Sequence, residues 1–215
     1  MTFGRFLGAA LFAASMAASA APVLNTADFI AVPSNFNGFE NIPNDGLHFT
    51  GAGGPYVEGG LRVTQVGADQ GNDIWVTLGG LEGRYSWYPD GGDNGYTKIQ
   101  LDTGADFAAI SLLFRAWDIG NVAYDLLDDG VSVLSGMLAA ANSVPGRIGF
   151  AGGGFDEVRL RTGLAGPIGD GRFQALQVDS IKAEGGGNNV PEPGSLALVG
   201  LALAGLGLAR RRSLR

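Results

Sequence analysis

The chain has no cysteine and a single histidine, His48, among its 215 residues. Disulfide bonds and thiol chemistry are therefore excluded, and a zinc site of the usual His/Cys type cannot be assembled. A Ser-His-Asp triad would have to use His48, and the sequence contains no nucleophile elbow. Stability must come from packing or from a bound metal ion, and the sequence gives no support to thiol, zinc or serine-triad catalysis.

Positive charge is also scarce: 14 Lys and Arg stand against 21 Asp and Glu, for a formal net charge of −7. Five of the basic residues but only one acidic residue lie in terminal segments that are interpreted below as removable. Residues 22–189 therefore keep nine basic and 20 acidic residues, a net charge near −11. Such a surface repels nucleic acid and anionic lipid, which we exclude as partners, and it tolerates divalent cations.

The first 20 residues have the pattern of a secretory signal peptide. Arg5 supplies a basic start, residues 6–16 are mostly apolar, and Ala18-Ser19-Ala20 offers the small residues of a cleavage site. The sequence predicts export, with cleavage after Ala20 and cleavage after Ala21 as the alternative. The alternative is a retained N-terminal anchor, for which the apolar run is short and poorly flanked.

The last 26 residues begin with Pro191-Glu192-Pro193, continue in an apolar run of 14 residues from Leu196 to Ala209, and end in an arginine cluster, Arg210, Arg211 and Arg212. The prolines prevent regular structure before the run, and the arginines stop it at the cytoplasmic side of a membrane. A helix of this length spans about 21 Å, less than the roughly 30 Å of a bilayer core. The pattern favours a temporary anchor, and a permanent single-pass anchor is the alternative.

This C-terminal segment, residues 190–215, resembles the PEP-CTERM sorting signal of Gram-negative bacteria. The resemblance implies processing by an exosortase, a membrane transpeptidase-like enzyme that acts near Pro191-Glu192-Pro193. It also implies a transient stay at the inner membrane, followed by release to the cell envelope or exterior. Because such proteins belong to bacteria that make exopolysaccharide, the implied setting is an extracellular matrix or biofilm.

Residues 21–183 are predicted to form an all-β sandwich. Alternation of apolar and polar residues predicts about ten short strands, among them 61–66, 96–101 and 107–117, and no convincing helix. Asp128-Asp129-Gly130 predicts a hairpin turn, and residues 184–189 predict a flexible linker. The sequence also predicts a first edge strand at 29–32, one or two helical turns within 137–144, and a turn between strands at 152–154.

Two short segments carry further resemblances. Pro55-Tyr56-Val57-Glu58-Gly59 leads into a strand and is similar to a segment that recurs in secreted proteins with the same sorting signal. Residues 176–181, with Asp179 followed by a small polar residue and Ile181, resemble the closing strand of jelly-roll domains in this exported group. This second resemblance implies a jelly-roll-like sandwich.

A glycine-rich loop contains Asp90, Asp93 and Asn94, which place three side-chain oxygens within five residues. Such oxygens are the ligands that Ca²⁺ prefers, so these residues are candidates for a calcium site, and a plain turn is the alternative. Asp125, Asp128 and Asp129 form a similar group, which turn chemistry already explains.

Four aromatic residues flank this loop: Tyr85, Trp87, Tyr88 and Tyr96. Sugars stack on exposed aromatic rings while nearby polar groups bind their hydroxyls, so these residues are candidates for carbohydrate binding. The alternative is that the rings fill the core. The predicted function is an exported carbohydrate-binding or adhesive module associated with exopolysaccharide, and the alternative is a passive structural matrix protein.

An enzyme is the least favoured interpretation. A glycoside hydrolase needs two carboxyl groups at a defined separation. Glu58 and the pair Asp156-Glu157 are the nearest candidates, and neither stands in a recognisable pattern. The sequence therefore predicts no catalytic residues and no cofactor other than the candidate calcium ion.

Overall fold

The computed structural model describes residues 20–41, 48–49, 55–66, 73–76, 81–88, 95–116, 120–163 and 176–185. Within these ranges the chain forms strands arranged in two antiparallel sheets and no helix, which confirms the all-β sandwich. Every described strand lies in one compact unit, residues 19–187. The predicted signal peptide and the C-terminal apolar run lie outside the described residues, and within those residues no helix of membrane-crossing length and apolarity occurs.

The strands are numbered in chain order. They are β1 Val23–Asn25, β2 Asn35–Asn37, β3 His48–Phe49, β4 Tyr56–Glu58, β5 Leu61–Val66, β6 Asp73–Val76, β7 Tyr85–Trp87, β8 Tyr96–Leu101, β9 Phe107–Ala116, β10 Gly120–Asp128, β11 Val131–Ala140, β12 Pro145–Phe155, β13 Glu157–Gly163 and β14 Leu176–Gly185. The larger sheet has the order β1-β12-β9-β14-β7-β6-β3, with β2 also paired to β14. The smaller sheet has the order β11-β10-β13-β8-β5-β4.

The core lies between the two sheets and follows the predicted alternation. In β9 the side chains of Ile110, Leu112, Phe114 and Ala116 are buried on the inner face, as expected from their period of two. In β5 and β8 every second residue is buried. Because alternate residues of a strand point to opposite faces, the smaller sheet has an outer face that does not contribute to this core.

The hairpin predicted at residues 128–130 is present. Asp128 pairs with Val131, and Asp129 and Gly130 form a two-residue turn with φ values of 49° and 81°. Positive φ at both turn residues matches the right-handed twist of the flanking strands, and glycine adopts it at little cost.

The expected helical turns at 137–144 are not present, because β11 continues as a strand through Ala140. Its pairing with β10 runs from the turn to the pair of Gly120 and Ala140, and this ladder outweighs the helical preference of the alanines. Gly136 lies under Tyr124, where any Cβ atom would collide with the phenol hydroxyl. Tertiary pairing therefore decides the structure of this segment.

Two other expectations are corrected. Residues 152–154, predicted as a turn between strands, form a bulge inside β12, where the pairing jumps from Ala151 with Ala109 to Phe155 with Phe107. The first edge strand is β1 at Val23–Asn25, not residues 29–32, and it pairs with β12. At the other end of the domain β14 extends two residues into the segment predicted as linker.

Candidate functional site

The outer face of the smaller sheet carries a group of polar side chains around one tyrosine. In the sheet register Thr64 is opposite Lys98, which is opposite Arg159. In the neighbouring row Gln100 is opposite Glu157. All members are half-buried, and together with Tyr96 they are called the polar face: Thr64, Tyr96, Lys98, Gln100, Glu157 and Arg159.

One carboxylate holds the charged part of the polar face together. Glu157 accepts hydrogen bonds from Nε of Arg159 and, at 3.3 Å, from Nε2 of Gln100. The ammonium of Lys98 lies 4.0 Å from the same carboxylate. Two cationic side chains therefore contact the same anionic one.

Tyr96 supplies the aromatic part of the face. The guanidinium carbon of Arg159 lies 4.9 Å from the centroid of the Tyr96 ring, within the range of a cation–π interaction. Burial raises the pKa of Tyr96, with Glu157 adding to the rise and Arg159 opposing it. The phenol is therefore neutral at physiological pH and its hydroxyl can donate a hydrogen bond.

The core fixes the strands that carry the polar face. Between Tyr96 and Lys98, the side chain of Thr97 points inward and is completely buried. Its hydroxyl accepts a 3.2 Å hydrogen bond from the indole of Trp87, and it donates one of 3.1 Å to Gln65. Since β8 and β13 both lie inside the sheet with a partner on each side, the face rests on a rigid support.

The four predicted carbohydrate-binding aromatics do not form one surface. Tyr85 and Trp87 are 3% and 0% exposed and belong to the core, where Trp87 stacks on Phe39. Their rings present no surface to a sugar. For these two residues the alternative interpretation, that the rings fill the core, describes the structure. Tyr88 is half-buried just after β7, and Tyr96 lies on the polar face of the other sheet.

Lys98, Gln100 and Arg159 were not singled out from the sequence. The signal that could have found them is the alternation in β8 and β13, where polar residues at 98, 100, 157 and 159 alternate with the buried residues Thr97, Ile99 and Val158. Sequence alone does not show that these two strands are neighbours, because the pairing of β13 with β8 joins segments about sixty residues apart.

The calcium candidates Asp90, Asp93 and Asn94 lie outside the described residues, as do Pro191, Glu192, Pro193 and the cluster Arg210, Arg211 and Arg212. Within the described part of the chain, no three His, Cys, Asp or Glu side chains are grouped so as to hold a metal ion. Asp125 accepts a hydrogen bond from the Ser132 hydroxyl.

The carboxylates weighed for catalysis have structural partners. Glu58 accepts hydrogen bonds from the backbone N–H groups of Gly38 and Asn41 and from the Tyr56 hydroxyl. Burial raises the pKa of Tyr56, and the hydrogen bond to Glu58 adds to this. Glu58 therefore joins β4 to the segment after β2, and these hydrogen bonds give it a structural role.

Among the carboxyl groups that the structure describes, the pKa is shifted most at Asp179, in β14 of the larger sheet. It is completely buried and accepts hydrogen bonds from the backbone N–H groups of Glu82, at 2.8 Å, and Ser180, at 2.6 Å. Burial raises the pKa of Asp179 to about 7, with these hydrogen bonds opposing the rise. Asp179 thus ties the segment before β7 onto the sheet.

Comparison with protein families identifies the C-terminal segment. Residues 189–212 match the PEP-CTERM protein-sorting motif, which confirms the resemblance noted in the sequence. The chain is an exported protein that an exosortase sorts to the cell envelope. No curated protein matches the chain.

Solved structures with some similarity are carbohydrate-binding modules. A variant of CBM29-2 in complex with cellulohexaose has 12% sequence identity, with 66% of this chain and 94% of that chain covered, at a TM-score of 0.36. A family 29 carbohydrate-binding module has 11% identity, with 65% and 88% covered, at a TM-score of 0.25. Similarity at this level does not bear on the ligand of this chain.

Proposed function

We propose that the exported domain binds polysaccharide at the polar face and acts as a carbohydrate-binding or adhesive module of the cell envelope or matrix. The observation that carries this proposal is the position of Tyr96, a half-buried ring on the solvent side of a rigid sheet beside Lys98, Gln100 and Glu157. Sugar rings stack their C–H faces on aromatic rings, and their hydroxyls bind amides and charged groups.

A binding role fits the polar face better than a catalytic one. Glycoside hydrolysis uses one carboxyl group as acid and a second as base or nucleophile. On this face Glu157 is engaged by Arg159 and Gln100, and Asp125 is engaged by the Ser132 hydroxyl. Carboxylate side chains that are held in such contacts are better suited to recognising a ligand in a fixed geometry than to transferring protons.

The test is retention of residues 21–189 on the exopolysaccharide of the host. All described strands lie within this range, in a single compact unit. Tyr96→Ala is expected to weaken binding by roughly three- to tenfold because stacking is lost, and Tyr96→Phe is expected to bind nearly as well as the unchanged domain. Phe36→Ala is the control, since Phe36 is an exposed aromatic residue of the larger sheet.

No retention of the unchanged domain would overturn the proposal and favour the passive structural protein. The same experiment with calcium and then with a chelator tests the loop of Asp90, Asp93 and Asn94. Retention that is lost on chelation and restored by calcium supports a calcium-assisted site at that loop. Retention that is unchanged by the chelator would show that binding does not require calcium.

The proposal includes a transient inner-membrane anchor that is removed at the sorting motif. Mass spectrometry of the mature protein is expected to find a C-terminus near Pro191-Glu192-Pro193. Replacement of the motif, including Glu192→Gln, is expected to leave uncleaved chain in the membrane fraction, whereas Glu184→Gln, the same change at an exposed position outside the motif, is not. A mature protein that retains residues 194–215 would favour the permanent anchor.

A further inference from the structure

We propose that the polysaccharide bound at the polar face is acidic, with carboxylate-bearing sugar units recognised by Lys98 and Arg159. This inference rests on the proposed function and specifies its ligand class.

The first observation is where the few basic residues are. Residues 22–189 contain nine Lys and Arg against 20 Asp and Glu. Three of the nine occupy solvent-accessible outward positions on neighbouring strands of the smaller sheet: Arg62, Lys98 and Arg159. In the described strands of this sheet the acidic residues at outward positions are Glu157 and Asp125. This face therefore has three accessible basic side chains for two acidic ones, whereas residues 22–189 as a whole contain more than twice as many acidic as basic residues.

The second observation is how these charges are paired. Arg62 forms a 2.6 Å ion pair with Asp102, so its charge is balanced at the end of the sheet. Lys98 and Arg159 instead share Glu157. Asp125 lies opposite Arg159 in the register and accepts a hydrogen bond from the Ser132 hydroxyl, so Glu157 is the anion that Lys98 and Arg159 contact directly.

The third observation is the hydrogen-bonding capacity that remains. At 4.0 Å from Glu157 the ammonium of Lys98 is in ion-pair range but too far for a hydrogen bond, and it makes none to other described residues. Arg159 contacts Glu157 through Nε, which leaves the terminal nitrogens of its guanidinium for a carboxylate. Lys98 and Arg159 are 28% and 27% exposed, so a ligand can reach them.

The arrangement matches the chemistry of a uronic acid unit. Such a sugar presents a C–H face for the Tyr96 ring and a carboxylate for the two cationic side chains, which are adjacent in the register. A neutral sugar bound here would displace water from the ammonium of Lys98 without supplying a charged partner in its place. The negative charge elsewhere on the domain would repel an acidic polymer, and since this repulsion is screened beyond about 8 Å, binding is restricted to the polar face rather than abolished.

The experiment compares binding of residues 21–189 to polygalacturonate, to the same polymer with its carboxyl groups reduced to alcohols, and to the host exopolysaccharide. We expect carboxyl reduction to weaken binding at least about tenfold, and added salt to weaken binding to the acidic polymer. Lys98→Gln is expected to weaken it about three- to tenfold. Lys182→Gln is the matched control, because it removes the same charge from a similarly exposed position on the larger sheet.

Each outcome separates the two proposals. Equal binding to the acidic and the reduced polymer would overturn the acidic ligand and leave the proposed function standing. No binding to any of the polysaccharides would overturn the proposed function itself. Equal weakening by Lys98→Gln and Lys182→Gln would show a general charge effect and overturn the assignment to the polar face. Thermal unfolding of both variants ensures that only folded domains are compared.

Discussion

The indole N–H of Trp87 donates a 3.2 Å hydrogen bond to the hydroxyl of Thr97, across the interior of the sandwich. Trp87 belongs to β7 of the larger sheet and Thr97 to β8 of the smaller one. Because Thr97 lies between Tyr96 and Lys98 in the chain, this bond fixes the strand that carries the polar face. Trp87 is a candidate for carbohydrate binding in the sequence. In the structure it lies in the core and supports the strand of the candidate site from inside.

This relationship predicts a coupled loss of stability. Trp87→Phe is expected to lower the free energy of unfolding by about 1–3 kcal/mol, because it removes a buried donor and some volume. Thr97→Val removes the acceptor at nearly constant shape. Since both changes break the same bond, the double variant is expected to be less destabilised than the sum of the single ones by about 1 kcal/mol. Urea unfolding measures all three, and strict additivity would show that the bond contributes nothing.

Gly59 explains the end of the Pro55-Tyr56-Val57-Glu58-Gly59 segment. It has a φ of 54°, and a Cβ atom at this position would overlap the backbone carbonyl oxygen of Phe36. Gly59→Ala is expected to destabilise the domain by at least about 3 kcal/mol, because the obstacle is backbone and cannot rotate away. Gly104→Ala is the control: its φ of 71° is equally unfavourable, but nothing lies within 4 Å of the added atom. The control is expected to cost about 1–2 kcal/mol. Equal costs in thermal or urea unfolding would mean that strain in φ, not the overlap, governs Gly59.

Asp179 predicts a pH dependence of stability. Its pKa is about 7 in the folded domain and near the ordinary 3.8 when unfolded, so the folded state holds the proton more tightly. The contribution of this group is full below the unfolded pKa and is lost as the pH rises towards the folded one. Between about pH 5 and about pH 8 the unfolding free energy is expected to fall by on the order of 2–4 kcal/mol from this group.

Asp179→Asn provides the comparison, since an amide has no proton to lose in this range. Its unfolding free energy, measured by urea titration at several pH values, is expected to fall less steeply with pH than that of the unchanged domain. Parallel profiles for the two proteins would show that Asp179 does not titrate near neutrality. Carboxyl chemical shifts in NMR give the pKa of the group directly.

The strands that the sequence predicts well are those with one buried and one outer face. In β8 the alternation of Thr97, Ile99 and Leu101 inward with polar residues outward is visible in the chain itself. The bulge at 152–154 and the continuation of β11 through residues 137–140 were missed because pairing with β9 and β10, respectively, overrides the local preference of glycine and alanine. Local pattern therefore predicts strand existence better than strand boundaries.

The candidate site, too, could be predicted only in part from the sequence. Tyr85, Ser86 and Trp87 are all buried, so both faces of β7 are covered, and alternation there cannot distinguish a binding face from a core face. Tyr96 could be identified as a candidate from its sequence neighbours. Its companion Arg159 could not, because their contact depends on the pairing of β13 with β8.

Glu157 provides a last prediction, in which affinity increases. If the polar face binds a carboxylated polysaccharide, Glu157 is the nearest competing anion, since it contacts both Arg159 and Lys98. Glu157→Gln keeps a hydrogen-bond acceptor for Arg159 and removes the negative charge. It is expected to tighten binding to polygalacturonate by about two- to fivefold and to leave binding to the carboxyl-reduced polymer unchanged. Isothermal titration calorimetry measures both. Weaker binding to both polymers would show instead that Glu157 contacts the sugar or holds Arg159 in place, in which case its charge is part of the recognition site.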